Sequence, residues 1–211
     1  KYWEKWFPAD FVVEMREQIR LWFYSQLFMS TVLEGKAPYK HVMTYEKVQD
    51  EHGRPMHKSW GNAIWFDDAV EKMGADIMRY IYTYRNPNYN LNFGFSIAEE
   101  AKRKLLTLWN AYSFLVTYAR LDNWQPKEEF LEVPLADEIK KETDSASLLD
   151  RWMVAKVQAS IKEVDEALFD YDTVRAVRNL EELVESISRW YIRRNRHRYW
   201  KSEEDDDKNR A

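Results

Sequence analysis

From residue 98 to residue 199 the apolar side chains recur at the spacing of an α-helix, which limits that half of the chain to packed helices. Leu105, Trp109, Tyr112, Val116 and Ala119 fall at i, i+4, i+7, i+11 and i+14. Leu149, Trp152, Met153, Val157, Ile161, Val164 and Leu168 form a second stripe. Ala176, Val177, Leu180, Leu183, Val184, Ile187, Trp190 and Tyr191 form a third. A helix with one apolar stripe needs other helices to cover it. The spacing therefore predicts helices over 98–121, 149–168 and 173–199, packed as a bundle, with the stripes as core rather than ligand box. A polar connector, 122–147, holds Pro126 and Pro134.

The first half reads as mixed α/β. Asp10–Glu14 is a short β-branched run after Pro8, and His41–Tyr45 with Lys47–Gln49 gives a second strand. Between them Arg16–Leu33 takes a helical pattern closed by Gly35 and Pro38. Strand, helix, strand is the unit of a parallel sheet. Asp67 is placed to cap a helix carrying Val70 and Met73, which Gly74 breaks. Asp76 starts another, with Ile77, Tyr80, Ile81 and Tyr84 on one face. Asn86–Asn92 reads as irregular backbone at the approach to a junction. The domain division is set at 1–97 and 98–211.

Several chemistries are excluded. The chain has no Cys, so thiolate zinc sites and disulfides are impossible. Its four His stand at no metal-ligand spacing, and no Ser/His/Asp set is present, so no metal site is expected. No apolar run reaches the roughly 20 residues that cross a bilayer, so no membrane and a cytoplasmic setting are expected. The first residue is Lys1, followed by the aromatic string Tyr2–Phe7, which reads as an internal piece of a longer protein.

Three groups of residues can carry chemistry. Arg54–Asn62 is a basic loop between strand and helix, in which Lys58, Ser59 and backbone N–H groups could hold a phosphate; such loops are also common without one. Glu14, Glu17, Gln18, Arg20 and Trp22 follow the first strand, where open α/β sheets bind ligands. The same residues also suit a solvated helix start. Arg189–Lys201 contains five Arg and one Lys with no acidic residue, before the acidic Glu203–Asp207. Its spacing puts Arg189, Arg193 and Arg196 on one face and Arg194 and Arg198 on the next. Arg beside Trp and Tyr suits RNA, against the alternative of a charged helix end.

Taken together these segments resemble the isoleucyl-tRNA synthetase family of class I aminoacyl-tRNA synthetases. Trp6–Glu14 with Glu17-Gln18-x-Arg20-x-Trp22-Phe23 resembles the block before the catalytic crossover helix. Pro38–Lys40 and Asp50–Gly53 resemble the approach to the mobile loop. Pro55-Met-His-Lys-Ser59 with Gly61-Asn62 stands where the family has its KMSKS signature. Leu149–Trp152 and Ser188–Arg196 through Trp200-Lys201 resemble the helical anticodon-binding domain. The resemblance implies the C-terminal half of a Rossmann-type catalytic domain (α/β) followed by an incomplete, all-α tRNA-binding bundle. It implies ATP-dependent activation of isoleucine and transfer to its tRNA, Mg2+ arriving with ATP, no bound zinc, no DNA and a monomeric parent. Met56, His57, Lys58 and Ser59 would bind ATP, Lys58 being catalytic. Glu14, Glu17, Gln18 and Trp22 would line the aminoacyl-adenylate. Arg189, Arg193, Arg194, Arg196, Arg198 and Lys201 would meet tRNA.

The signature departs from the family at Pro55 and His57, and Arg54 could supply the missing charge from one position upstream. No HIGH-type tetrapeptide and no editing insert occur, so the piece alone is expected to activate no amino acid and to bind tRNA weakly and salt-sensitively. The alternatives are a valyl-type enzyme and a non-catalytic synthetase paralogue acting as an RNA-binding module.

Overall fold

The computed structural model describes residues 2–125 and 147–200. The expected connector therefore lies mostly outside the described residues, as do Lys201 and the acidic Glu203–Asp207. The chain divides into two compact units, Lys1–Ala98 and Glu99–Ala211.

In the first unit, α1 (Tyr2–Trp6) leads into β1 (Ala9–Met15). β2 (Tyr39–Tyr45) lies parallel to it, in register from Ala9 opposite Tyr39 to Met15 opposite Tyr45. Parallel neighbours need a crossover, which α2 (Trp22–Glu34) supplies. One helix over Arg16–Leu33 is corrected: Arg16–Arg20 is a 3₁₀ turn, and Leu21 at φ −121°, ψ −97° separates it from α2. Gln18 accounts for the restart, because its Oε1 accepts the Trp22 N–H at 3.2 Å, one of the donors a helix start leaves open. α2 ends on Gly35 at φ 67°, the left-handed stop that its position in the sequence predicts.

β3 (Val48–Gln49) does not prolong β2. It pairs in parallel with β4 (Leu91–Asn92), so Asn86–Asn92 ends in a strand rather than staying irregular. A two-residue strand is too short to show any period. α3 (Phe66–Met73) and α4 (Ala75–Tyr84) lie between them in the chain. Trp65, not Asp67, holds the N-cap position of α3; Asp67 and Asp68 sit inside its first turn, where their charge favours the helix dipole. Asp76 likewise lies inside α4, whose N-cap position is Gly74. The core gathers Ala69, Met73, Met78, Ile81, Leu91 and Phe93. Met78 is buried, whereas Ile77, Tyr80 and Tyr84 of the expected face are only half-buried.

α5 (Phe95–Leu121) begins ahead of residue 98 because Glu51 reaches its first turn. The Glu51 Oε2 accepts the Ser96 N–H at 3.2 Å and also the Ser96 hydroxyl. Those bonds from Ser96 hold the Glu51 carboxyl below the usual range. The carboxylate passes so close to Gly94 that a Cβ there would lie 2.6 Å from Oε2.

The second unit is helical. α6 (Leu148–Phe169) and α7 (Thr173–Glu185) form a hairpin, Asp172 capping α7 by accepting the Arg175 N–H at 3.0 Å. A π-helical turn, Ser186–Ile192, joins α7 to α8 (Arg193–Trp200). The first two stripes are rotated in part from their expected phase, while the third keeps Ala176 buried and Val177, Leu183, Val184, Ile187 and Tyr191 half-buried. Trp109 is 61% exposed and Tyr112 also faces out, while Phe114 and Tyr118 meet the Tyr199 ring at 5.0 and 6.0 Å. On α6, Met153, Ser160 and Ala167 are buried, and Ile161 and Leu168 are exposed. Leu180 and Trp190 of the third stripe are exposed as well.

Candidate functional site

The loop after β3 is built on one carboxylate. Asp50, only 5% exposed, accepts the His52 and Arg54 backbone N–H groups on Oδ1 at 3.0 and 2.8 Å. Its Oδ2 takes Arg54 Nε, Arg54 Nη2 and Asn62 Nδ2, each at 2.9 Å. Asn62 closes the clasp: Nδ2 also donates to the Pro55 carbonyl at 2.9 Å, and Oδ1 accepts the His57 N–H at 2.9 Å. The bonds from Asn62 and Arg54 hold the Asp50 carboxyl far below the usual carboxylate range, against the opposing effect of its burial. Both ends of the loop tip are thus tied to Asp50.

Within the clasp, Lys58–Trp60 makes a single 3₁₀ turn that ends on Gly61 at φ 70°. Met56 is half-buried; His57, Lys58 and Ser59 are exposed. The His57 ring packs against Trp60 at 4.4 Å, and the Lys58 ammonium stands 4.6 Å from the Trp65 ring centroid. Among the described residues Lys58 makes no ion pair with a carboxylate. Arg54 is different: its guanidinium is committed to Asp50, so the expectation that it supplies the signature's missing charge is corrected.

The second group sits where β1 passes into the 3₁₀ turn. Glu14 is half-buried on β1, in register with Thr44. The Glu17 carboxylate bonds Lys47 Nζ at 3.0 Å, which lowers its pKa. Arg16 pairs with Glu46 at 2.7 Å. Gln18 is occupied at the start of α2, and the Trp22 ring, edge-on to Phe23 at 5.4 Å, is 41% exposed. No hydrogen bond or ion pair among the described residues joins Lys58 to Gln18 or Trp22. The connection runs through residues 46–50, on which both groups are anchored. An open hollow of about 320 Å³ is lined by Tyr45, Glu46, Tyr82, Arg85 and Tyr89 among others. Sequence reasoning missed Asp50 and Asn62 as site-builders; they flank the basic loop, but nothing in that spacing pairs them.

The third group is the basic run. Arg189, Arg193, Arg194 and Arg196 are exposed, Arg189 pairing with Glu185 at 3.3 Å and Arg194 standing 4.3 Å from the Trp190 ring centroid. Arg198 is a correction. It is 5% exposed and its Nη1 bonds Asp150 Oδ1 at 2.7 Å, so it holds the second unit together instead of facing RNA. Asn195, Arg198 and Tyr199, at i, i+3 and i+4, form the inward face of α8. The Tyr191 hydroxyl donates to the same Oδ1 at 2.8 Å, while Asp150 Oδ2 and the Ser147 hydroxyl complete a capping box at the start of α6. Burial alone would raise the Asp150 pKa, but the bonds from Arg198, Tyr191 and Ser147 outweigh it and lower it. Burial and the Asp150 charge drive the Tyr191 pKa up.

Among the described residues no group of three or more His, Asp or Glu could hold a metal ion, and no helix is long and apolar enough to cross a membrane.

Two family models match the chain: the class I tRNA synthetases (I, L, M and V) over residues 1–94, and the anticodon-binding domain of tRNA ligases over residues 150–211. The chain is 40% identical over 204 residues to an isoleucine–tRNA ligase of Dehalococcoides mccartyi, covering 96% of this chain and 19% of that protein. It is 41% identical over 205 residues to an isoleucine–tRNA ligase of Methanothrix thermoacetophila, with the same coverage of both. The chain thus resembles class I aminoacyl-tRNA synthetases along most of its length. It spans about a fifth of the length of these curated relatives. A class I synthetase fold also appears in a solved structure, the ternary complex of an Agrobacterium radiobacter LeuRS with tRNA and LeuAMS. That match has a TM-score of 0.69 at 20% identity, over 84% of this chain and 22% of the other. That likeness is one of fold.

Proposed function

We propose that the chain is a segment of an isoleucine–tRNA ligase. Residues 1–97 would be the C-terminal part of a Rossmann-type catalytic domain and 98–211 part of the helical tRNA-binding domain, within a monomeric, cytoplasmic enzyme. The observation that carries this reading is the clasped loop. It presents one cation, Lys58, without a carboxylate partner among the described residues, in a chain 40% identical to isoleucine–tRNA ligases.

In the reaction the amino-acid carboxylate attacks the α-phosphate of ATP and pyrophosphate leaves; a terminal tRNA ribose hydroxyl then takes the acyl group. Charge builds on phosphate oxygens, so the step asks for fixed cations and N–H donors more than for an acid or base. Lys58 would neutralise the departing pyrophosphate, with Ser59, His57 and the backbone at Met56 around it, and Mg2+ would come with the nucleotide. Glu14 and Gln18 would face the adenylate, Trp22 would wall the aliphatic side chain, and Glu17 would bind ribose only on releasing Lys47. Arg189, Arg193, Arg194 and Arg196 would meet tRNA phosphates and stacked bases.

The test is isoleucine-dependent ATP–pyrophosphate exchange by the full-length protein carrying this segment. Replacing Lys58 by Gln is expected to reduce kcat about a hundredfold, the usual worth of one transition-state charge contact, whereas the 211-residue chain alone gives no exchange. Full exchange by Lys58→Gln, or exchange with valine but not isoleucine, would reject the assignment.

A further inference from the structure

We infer that Trp65 is a positioning residue for the loop cation: it seats the Lys58 ammonium while the loop is at rest and holds it away from phosphate until an anion competes for it. The inference rests on the reading of Lys58 as the phosphate-binding cation.

The geometry is that of a cation over an aromatic face, with Nζ 4.6 Å from the Trp65 ring centroid. Indole is the best of the aromatic faces for a cation. The backbone that carries the seat is fixed. Trp65 holds the N-cap position of α3 with extended backbone (φ −77°, ψ 148°), and its carbonyl accepts the Ala69 N–H at 2.9 Å. The indole remains 56% exposed, so it is not core.

The loop around Lys58 has little freedom at its base. Asp50 and Asn62 tie residues 54, 55 and 57, and Gly61 closes the 3₁₀ turn by donating to the Lys58 carbonyl at 3.2 Å. The lysine side chain, with its four-carbon stem, is therefore the part of the tip best able to swing. A lone exposed ammonium would sample solvent; an indole at this distance gives it one preferred resting place. The contact is weak by nature, since an exposed cation–π pair is worth far less than an ammonium against a multiply charged phosphate in a closing site. The seat therefore yields when phosphate arrives and discourages the loop from closing without it.

The test follows the ε-CH₂ resonances of isotope-labelled lysine in the full-length protein carrying this segment, with Lys58 assigned by loss of its signal in Lys58→Arg. In the unaltered chain the indole ring current is expected to shift the Lys58 signal upfield. Trp65→Leu is expected to return it to the ordinary lysine position, and Trp65→Tyr to retain part of the shift. Titrated inorganic pyrophosphate is expected to displace the shifted signal, and Trp65→Leu to bind pyrophosphate roughly two- to fivefold more tightly, the worth of an exposed cation–π contact. Circular dichroism identifies any variant that fails to fold, and Trp65→Tyr then carries the comparison. An unshifted Lys58 signal in the unaltered chain overturns the seat, as does weaker pyrophosphate binding by folded Trp65→Leu. A shifted signal that depends on Trp65 but ignores saturating pyrophosphate leaves the seat standing and overturns the phosphate reading of Lys58.

Discussion

Asp50 uses both carboxylate oxygens on the loop it precedes, and this single side chain decides where that loop's ends lie. Each of its five contacts favours the charged form, so its pKa falls far below the ordinary carboxylate value. The sign of the pH effect follows. A depressed folded pKa gives stability that is fully present above the unfolded value of about 3.9 and is lost only as pH falls through the folded one. The Asn62 side-chain amide protons, followed by NMR, should therefore keep their clasped chemical shifts at about pH 4, where an ordinary Asp is half protonated. In Asp50→Asn the amide proton that faces Asp50 should move toward the free-amide position even at neutral pH, while the Pro55 carbonyl still holds the other. Clasped shifts in that variant would remove Asp50 from its role. The basic loop could be read from its composition. Its anchor could not, because Asn62 is 12 residues from Asp50 and only folding brings them together.

At the scale of elements, the start of α5 depends on a neighbour rather than on its own sequence. Glu51 caps it from the loop after β3, and Gly94 leaves the space for that carboxylate to pass. Replacing Gly94 by Ala would set a Cβ against Glu51 and is expected to cost about 1–3 kcal/mol, the usual penalty for overfilling a packed site. Urea unfolding measures it, and a change below about 0.5 kcal/mol, the range of an ordinary surface substitution, would contradict the close approach. The helices themselves were legible, since α5, α6 and the α7–α8 run announce their period over many residues. Their phase was legible only in part. α5 carries apolar residues around most of its circumference, so Trp109 and Tyr112 were as plausible inside as Phe114 and Tyr118. The π turn at Ser186–Ile192 adds a shift that a 3.6-residue period does not contain.

At the scale of the whole molecule, the two units are held by different means. The first has a small core and leaves much of α2 uncovered, with Trp22, Tyr24, Phe28, Val32 and Leu33 all exposed. The second is centred on the buried Asp150–Arg198 pair, which joins residues 48 positions apart. Asp150→Ala would strand the Arg198 charge and is expected to destabilise this unit by about 3–5 kcal/mol. The lowered Asp150 pKa makes the pair's contribution present above the ordinary carboxylate value and lost on acidification through the folded one. Chemical denaturation of Asp150→Ala, Arg198→Met and the double variant reads the pair. A double variant no more stable than either single one would show that the stranded charge is not the source of the loss.

From the sequence alone came the class of each half, the parallel pairing of β1 with β2, the basic loop that carries Lys58 and the cluster of arginines that includes Arg189, Arg193, Arg194, Arg196 and Arg198. Each of these is written in local spacing or in adjacent residues. Tertiary structure alone decided that Arg54 serves Asp50, that Arg198 serves Asp150, that β3 pairs with β4, and that Lys58 rests over Trp65. The reason is electrostatic and geometric. A charged side chain in sequence shows what it can bind, but which opposite charge or aromatic face reaches it first is set by segments that meet only in the folded chain.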